Sequence, residues 1–327
     1  MLRTVLAACT LFTCAAAADD PIAAAVHTGQ FKKITSVAVA RAGKIVYETY
    51  FDGDAATLRN TRSATKTITG MLAGIAADQG KLTADSPAME FFGGRKMKNR
   101  DPRKDQITVR DLLTMSSALD CDDNDDKSPG NENGMYPNRD WIQFALDLPV
   151  RRSNTWSYCT AGVTMLAGVL ERATGMAVPD FAQRNLFEPL GIASAKWAYS
   201  PAGVAMTGGG LELTTRDYVK LAQLYLDGGR ANGRRIVSGN WVATSIRSQK
   251  RIDDHTQYGY LWWIQEFSSA GNPWPAYYMT GNGGNKILVF PRSNLIVVIT
   301  SENYNTRGMH QMSERLLTEY ILPQYMH

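Results

Sequence analysis

Hydrophobic and polar positions alternate with strand-like spacing near both ends of the chain and with helical spacing between them. Residues 34–40 and 45–51 are rich in β-branched side chains and are joined by Arg41-Ala42-Gly43-Lys44, which predicts a β-hairpin. From 64 to 77, apolar residues recur every three or four positions, which predicts a helix that begins at or just before Ser63. A strand pair followed by a helix therefore opens the folded part of the chain.

The middle of the chain has a mainly helical pattern. Thr108, with Asp111 three residues later, has the spacing of a capping box, and the helix it begins is expected to end near Ser116-Ser117. Residues 120–138 are polar and loop-like. Further helices are predicted over 163–170, 181–186 and 213–226.

Strand-like runs return at the C-terminal end, over 258–264, 276–280, 286–290 and 295–300, and an amphipathic helix follows over 309–321. This order predicts an α+β fold (an α/β sandwich). Its antiparallel sheet is built from both chain ends and flanked by helices, with an inserted, mainly helical subdomain at about 85–200. The cleft between the sheet and this subdomain is the expected place for a site.

Composition and charge narrow the class of protein. The 327 residues are 44% hydrophobic and 20% charged, as in a globular protein. The net charge of +4 comes from 35 basic and 31 acidic residues without long basic blocks, so nucleic-acid binding is not expected. No segment has the about 20 consecutive apolar residues of a membrane span. The pattern leaves the oligomeric state open.

The N-terminus has the features of an export signal. Arg3 precedes an apolar run at 5–12, and Ala16-Ala17-Ala18 supplies small residues for cleavage. We therefore expect a signal peptide at 1–18, a mature domain at 19–327, and a periplasmic or secreted location. The alternative is a lipoprotein signal that ends at Cys9 or Cys14.

Ser63 and Lys66 form the first candidate for chemistry. Three residues apart on a helix, they lie on one face with Cβ atoms about 5–6 Å apart. A serine hydroxyl needs a nearby base to become a nucleophile, and a partly buried lysine can provide it. The alternative is a serine N-cap followed by a surface lysine. The sequence contains neither a G-x-S-x-G nucleophile elbow nor an H-E-x-x-H zinc motif, which disfavours Ser-His-Asp and zinc hydrolases. Its four histidines are His27, His255, His310 and His327.

Three segments carry a family resemblance, in the expected order and on the expected elements. Ser63 and Lys66 form an S-x-x-K motif after the first strand pair, Tyr158-Cys159-Thr160 is similar to Tyr-x-Asn, and Met279-Thr280-Gly281 is similar to Lys-Thr-Gly. From about Ile34 to Ile321 the chain resembles the serine β-lactamase and penicillin-binding-protein superfamily. The resemblance is to its class C-like branch of esterases and 6-aminohexanoate-dimer hydrolases.

The resemblance implies a role for each matching residue. Ser63 would be the acylated nucleophile, Lys66 its base or proton shuttle, and Tyr158 the group that protonates the leaving group and then activates water. The backbone N–H groups of Ser63 and Asn282 would form the oxyanion hole. Thr160, Thr280 and Gly281 would bind substrate. The family implies no metal and no organic cofactor, and a small-molecule ester, amide or peptide as substrate.

Two departures from the family pattern bear on the substrate. Thr160 stands where the family usually has Asn, and Met279 stands where true β-lactamases have the Lys that holds the drug carboxylate. Loss of that cation should weaken recognition of anionic β-lactams. The departures favour uncharged or cationic esters and amides. The alternatives are a D,D-peptidase or weak β-lactamase, and a non-catalytic sensor or binding domain.

Cys121 and Cys159 remain after signal removal, and counting alone allows either a disulfide or two buried thiols. The resemblance places both beside the cleft and so implies a disulfide. The acidic run Asp122 to Asp126 is interpreted as a solvated loop. Its alternatives are a calcium loop, which Lys127 disfavours because it stands where an EF-hand has Gly, and a site for a cationic substrate end.

Overall fold

The computed structural model describes residues 20–151 and 155–326. The predicted signal peptide at 1–18, with Cys9 and Cys14, lies outside the described residues. The α-helices are α1 (Pro21–His27), α2 (Thr65–Asp78), α3 (Val109–Leu113), α4 (Glu132–Met135), α5 (Trp141–Asp147), α6 (Thr160–Thr174), α7 (Val178–Ala182), α8 (Glu188–Leu190), α9 (Thr215–Leu226), α10 (Gly239–Ser245), α11 (Met309–Leu316) and α12 (Leu322–Tyr325). The strands are β1 (Ile34–Arg41), β2 (Lys44–Tyr50), β3 (Arg59–Asn60), β4 (Lys196–Trp197), β5 (Leu211–Leu213), β6 (Arg230–Ala231), β7 (Arg234–Arg235), β8 (Lys250–Arg251), β9 (Thr256–Tyr258), β10 (Trp263–Ser269), β11 (Asn272–Gly281), β12 (Asn285–Phe290) and β13 (Leu295–Ser301).

An eight-stranded antiparallel sheet, in the order β2-β1-β13-β12-β11-β10-β9-β8, joins the two ends of the chain. Strand β1 lies between its hairpin partner β2 and the last strand β13, and β8 to β13 follow one another as a meander. The prediction of one antiparallel sheet built from both chain ends, flanked by helices, is therefore confirmed.

Both faces of this sheet are covered. On β1, Val37 and Val39 pack against α1 and the C-terminal helices, whereas Ala38 and Ala40 belong to the core that contains α2 and α6. Burial on both faces explains why the strand is a continuous apolar run rather than an alternating one. In the described part of 85–200, helices α3 to α8 are accompanied by a single named strand, β4.

Several elements differ from the sequence-based expectations. The expected strand at 258–264 is two strands, because residues between Tyr258 and Trp263 form a turn. Gly259 is required in it, since a Cβ there would lie 1.9 Å from the Ser245 carbonyl oxygen. The helix that Thr108 caps ends at Leu113, earlier than expected.

Helix α1 was not predicted; the Asp20 side chain caps it by accepting the Ile22 and Ala23 N–H groups. A π-helical turn at Gln183–Phe187 joins α7 to α8, and another at Leu317–Ile321 joins α11 to α12. In the residues that the structure describes, no helix is both long and apolar enough to cross a membrane.

Candidate active site

Ser63 lies in a tight turn at the start of α2. The 3₁₀ turn Arg62–Ala64 leads directly into the helix, and the Thr65 hydroxyl donates a hydrogen bond of 2.8 Å to the Arg62 carbonyl oxygen. Arg62 has a φ of 54°, in the left-handed region that a non-glycine residue rarely adopts. Such strained residues concentrate at functional sites. The turn leaves Ser63 partly exposed at the front of a buried helix.

Lys66 lies behind Ser63 and is 1% exposed. Its Nζ donates to Ser63 Oγ at 3.0 Å and to the Gly208 carbonyl oxygen at 2.5 Å. This burial excludes the interpretation of Lys66 as a surface lysine. A buried amino group needs such hydrogen-bond partners. The helical spacing of Ser63 and Lys66 is thus a direct contact between the candidate nucleophile and its base.

Tyr158 borders the same lysine. The Lys66 Nζ lies 4.9 Å from the centre of the Tyr158 ring. The ring is held by neighbouring aromatic side chains, with centroid distances of 6.3 Å to Trp156 and 5.9 Å to Trp263. Tyr158 lies two residues before the first residue of α6, so the helix and the aromatic contacts together set its position.

The end of β11 approaches the nucleophile turn very closely at Gly281. A Cβ built on Gly281 would lie 2.0 Å from the Thr61 carbonyl oxygen and 2.7 Å from the Ser63 backbone nitrogen. Asn282 follows, and its side chain is held by Asn305, whose N–H donates to Asn282 Oδ1 at 2.8 Å. The structure thus brings Gly281 against the backbone nitrogen of Ser63, and Asn282 lines the same pocket as Ser63.

The remaining residues of this strand point elsewhere. Met279 is fully buried in the core. The Thr280 hydroxyl donates to the Asn285 carbonyl oxygen at 2.9 Å.

Thr160, the first residue of α6, is also fully buried, and its Oγ1 has no hydrogen-bond partner among the described residues. A Cβ on Gly208 would lie 2.6 Å from the Thr160 methyl group, so these segments are tightly packed beside Lys66.

A pocket of about 180 Å³ opens in front of Ser63. Its charged side chains are Arg62, whose guanidinium lies 4.2 Å from the Tyr304 ring centre, and Glu132, whose Oε2 accepts the Tyr136 hydroxyl at 3.0 Å. The residues that line it are Arg62, Ser63, Glu132, Asn133, Tyr136, Gly208, Gly209, Asn282, Tyr304 and Asn305. The carboxylate on the pocket wall is therefore Glu132, and the run Asp122 to Asp126 does not line it.

The acidic run was expected to be a solvated loop, but one of its side chains, Asp123, is largely buried and hydrogen-bonded to the backbone. Its Oδ2 accepts the Thr160 N–H at 2.7 Å and its Oδ1 accepts the Glu132 N–H at 2.9 Å. Burial raises the pKa of the Asp123 carboxyl, and the positive charge of Lys66 is the main influence that opposes this rise. Composition could not single Asp123 out, because its neighbours in the run are of the same type.

The predicted disulfide is confirmed: Cys121 and Cys159, 38 residues apart, are bonded. It joins the start of the acidic loop to the residue between Tyr158 and Thr160. Within residues 20–151 and 155–326, no cluster of three or more His, Cys, Asp or Glu side chains could hold a metal ion.

A second buried lysine lies on the strand next to β11. Lys286 pairs in register with Thr280, and its Nζ contacts Glu314 Oε1 at 2.9 Å. His310, on the same helix as Glu314, is also largely buried. Burial, reinforced by the charge of Lys286, lowers the pKa of His310 from 6.5 to about 4.

Comparison of the chain with known proteins identifies its family. The family model described as Beta-lactamase matches residues 26–318. The chain belongs to the Beta-lactamase family. The expected superfamily and fold are thereby confirmed, and the Beta-lactamase family is a class of hydrolases with the serine β-lactamase fold.

Three proteins to which this Beta-lactamase family member is similar show the range of functions for which such proteins are named. The 6-aminohexanoate-dimer hydrolase of Paenarthrobacter ureafaciens is 24% identical over 304 residues, which cover 86% of this chain and 76% of that protein. Simvastatin synthase from Aspergillus terreus, as its LovD6 mutant, has a TM-score of 0.72 at 16% identity, with 94% of this chain and 96% of that chain covered. The octameric penicillin-binding protein homologue from Pyrococcus abyssi has a TM-score of 0.70 at 18% identity, with 91% and 76% covered.

Proposed function

We propose that this protein is a serine hydrolase that cleaves an ester or amide through an acyl-enzyme on Ser63. The observation that carries the proposal is the 3.0 Å contact between Lys66 Nζ and Ser63 Oγ, with the Tyr158 ring beside the same nitrogen. A nucleophile in direct contact with its base is what acyl transfer requires, and the Tyr158 ring beside that base makes Tyr158 the candidate for the second proton-transfer group.

In the proposed reaction, Ser63 Oγ attacks the substrate carbonyl carbon while its proton passes to the Lys66–Tyr158 pair. The backbone N–H groups of Ser63 and Asn282 stabilise the negative oxygen of the tetrahedral intermediate. Tyr158 then delivers the proton to the leaving alcohol or amine, and the carbonyl re-forms as the acyl-enzyme. A water molecule, deprotonated by the same pair, attacks the ester and releases the acid and free Ser63.

The pocket supports a preference for uncharged or cationic substrates. Met279 is buried and apolar where the family's Lys would add a cation, and Glu132 on the wall opposes the positive charge of Arg62, which also lines the pocket. A carboxylate-bearing β-lactam would approach Glu132 unfavourably. The relative from P. ureafaciens is named for hydrolysis of the 6-aminohexanoate dimer, and small ω-amino-acid amides are accordingly part of the proposed substrate class.

The proposal includes export. A signal peptide at 1–18 would take the chain to the periplasm or the medium, where disulfides such as Cys121–Cys159 persist. Mass spectrometry of the mature protein after expression in a Gram-negative host should find a new N-terminus near residue 19 in the periplasmic fraction.

The test is a hydrolysis panel of short-chain p-nitrophenyl esters, ω-amino-acid amides and nitrocefin. We expect ester or amide turnover with an initial burst, and an acyl adduct on intact protein that is absent from Ser63→Ala. Ser268→Ala, which alters an exposed serine on β10, is the matched control and should retain full activity. Undiminished turnover by Ser63→Ala would eliminate the proposal, and faster turnover of nitrocefin than of the esters would identify a β-lactamase instead.

A further inference from the structure

Asp123 connects the acidic loop to the segment that carries Tyr158. The Asp123 N–H donates to the Tyr158 carbonyl oxygen at 2.8 Å, and its Oδ2 accepts the Thr160 N–H at 2.7 Å. The other oxygen, Oδ1, accepts the Glu132 N–H at 2.9 Å. Both carboxylate oxygens are thus held by backbone donors, so this side chain has a fixed position beside the start of α6.

The carboxylate of Asp123 also has a favourable electrostatic setting. Thr160 is the first residue of the 15-residue helix α6, whose N-terminus attracts negative charge. The charged and titratable groups that act on Asp123 are Lys66, which favours its ionised form, and Glu132, which opposes it; Tyr136 is close enough to be influenced by it. Lys66 is the cation in this set.

Lys66 needs a counter-charge because it is buried. The hydrogen bonds of its Nζ go to Ser63 Oγ and the Gly208 carbonyl oxygen, both neutral. Among the described residues, no carboxylate lies within ion-pair distance, 4.0 Å, of Lys66.

We propose that Asp123 is a positioning residue that holds Tyr158 in place and supplies the negative charge balancing Lys66. This inference rests on the proposed function, since it assigns Asp123 to the same site. Because unlike charges stabilise one another, the Asp123 carboxylate favours the protonated, more positively charged form of the site. Asp123 therefore sets the pH above which the site becomes active.

The experiment measures the rate at which a fluorophosphonate probe phosphonylates Ser63, from about pH 5 to about pH 9. In this reaction Ser63 Oγ bonds to phosphorus and fluoride leaves, so no knowledge of the natural substrate is needed. Asp123→Asn should move the acidic limb of the profile to lower pH by about one unit. Asp123→Glu keeps the charge and should leave the limb at its wild-type position, even if the rate falls.

Asp125→Asn is the matched control, because this exposed carboxylate accepts only the Lys127 N–H among the hydrogen bonds of the described residues. It should not move the limb. Asp123→Ser is a second neutral variant that can still accept the Thr160 N–H as a cap. Thermal unfolding identifies which variants are folded, and the Cys121–Cys159 bond and the Asn131 side chain hold the loop independently of the Asp123 carboxylate.

The outcomes separate the two proposals. Wild-type protein that is not labelled at Ser63 would remove the proposed function and this inference together. Labelling at Ser63 with an unshifted limb in a folded neutral variant would overturn the inference alone. An equal shift in Asp123→Glu would also overturn it, because the effect would then follow side-chain shape rather than charge.

Discussion

Gly281→Ala should nearly abolish activity while leaving most of the fold intact. The added Cβ would lie 2.0 Å from the Thr61 carbonyl oxygen and 2.7 Å from the Ser63 nitrogen, and both are backbone atoms that cannot rotate away. Since carbon makes favourable contacts only at about 3.5 Å or more, the end of β11 must retreat from the nucleophile turn by more than about 1 Å.

The size of the effect follows from this displacement. A misplacement of about 1 Å in a catalytic arrangement can cost about 100-fold in rate. Withdrawal of the Asn282 N–H from the oxyanion would cost about 100- to 1,000-fold in kcat, or about 3 to 4 kcal/mol in the barrier. We therefore expect a loss of at least about 100-fold, mainly in kcat because the contact matters most in the transition state.

The assay is kcat and KM for the best p-nitrophenyl ester of the panel, with circular dichroism to verify folding. Gly93→Ala is the matched control, because Gly93 is exposed, has an ordinary φ of −49°, and a Cβ there meets nothing within 4 Å. Its kinetic constants should equal those of the wild type. A folded Gly281→Ala variant within about threefold of wild-type kcat would refute the assignment of this strand to the oxyanion hole.

Two further predictions concern stability. Cys121→Ser should lower the free energy of unfolding by about 4 kcal/mol, since the disulfide closes a loop of 38 residues, and wild-type protein treated with reductant should match the variant. The pKa of His310 is about 4 in the folded protein and 6.5 in the unfolded chain, so between these pH values the unfolded chain takes up a proton that the folded chain does not. The contribution of His310 to the free energy of unfolding is therefore complete above pH 6.5 and falls by roughly 3 kcal/mol as the pH drops to about 4. His310→Gln should flatten that dependence in thermal unfolding at several pH values, and an unchanged slope would contradict it.

The elements that sequence patterns predicted are those governed by neighbouring residues. The hairpin of β1 and β2, the start of α2 at Ser63, and the capping box of Thr108 and Asp111 depend on spacing within one element. The strands of the meander followed from β-rich runs separated by turn residues. The exception, the turn after Tyr258, depends on a close approach to Ser245 from another element.

The candidate site divides in the same way. The sequence alone determines that Ser63 and Lys66 share one helix face, because their spacing of three residues fixes it locally. It does not determine that Lys66 is buried, that Gly281 touches the nucleophile turn, or that Asp123, among similar neighbours, lies at the start of α6. These contacts join residues far apart along the chain, and they exist only once the sheet and helices pack together. Their tight packing converts a common local spacing into a site with defined distances and charges.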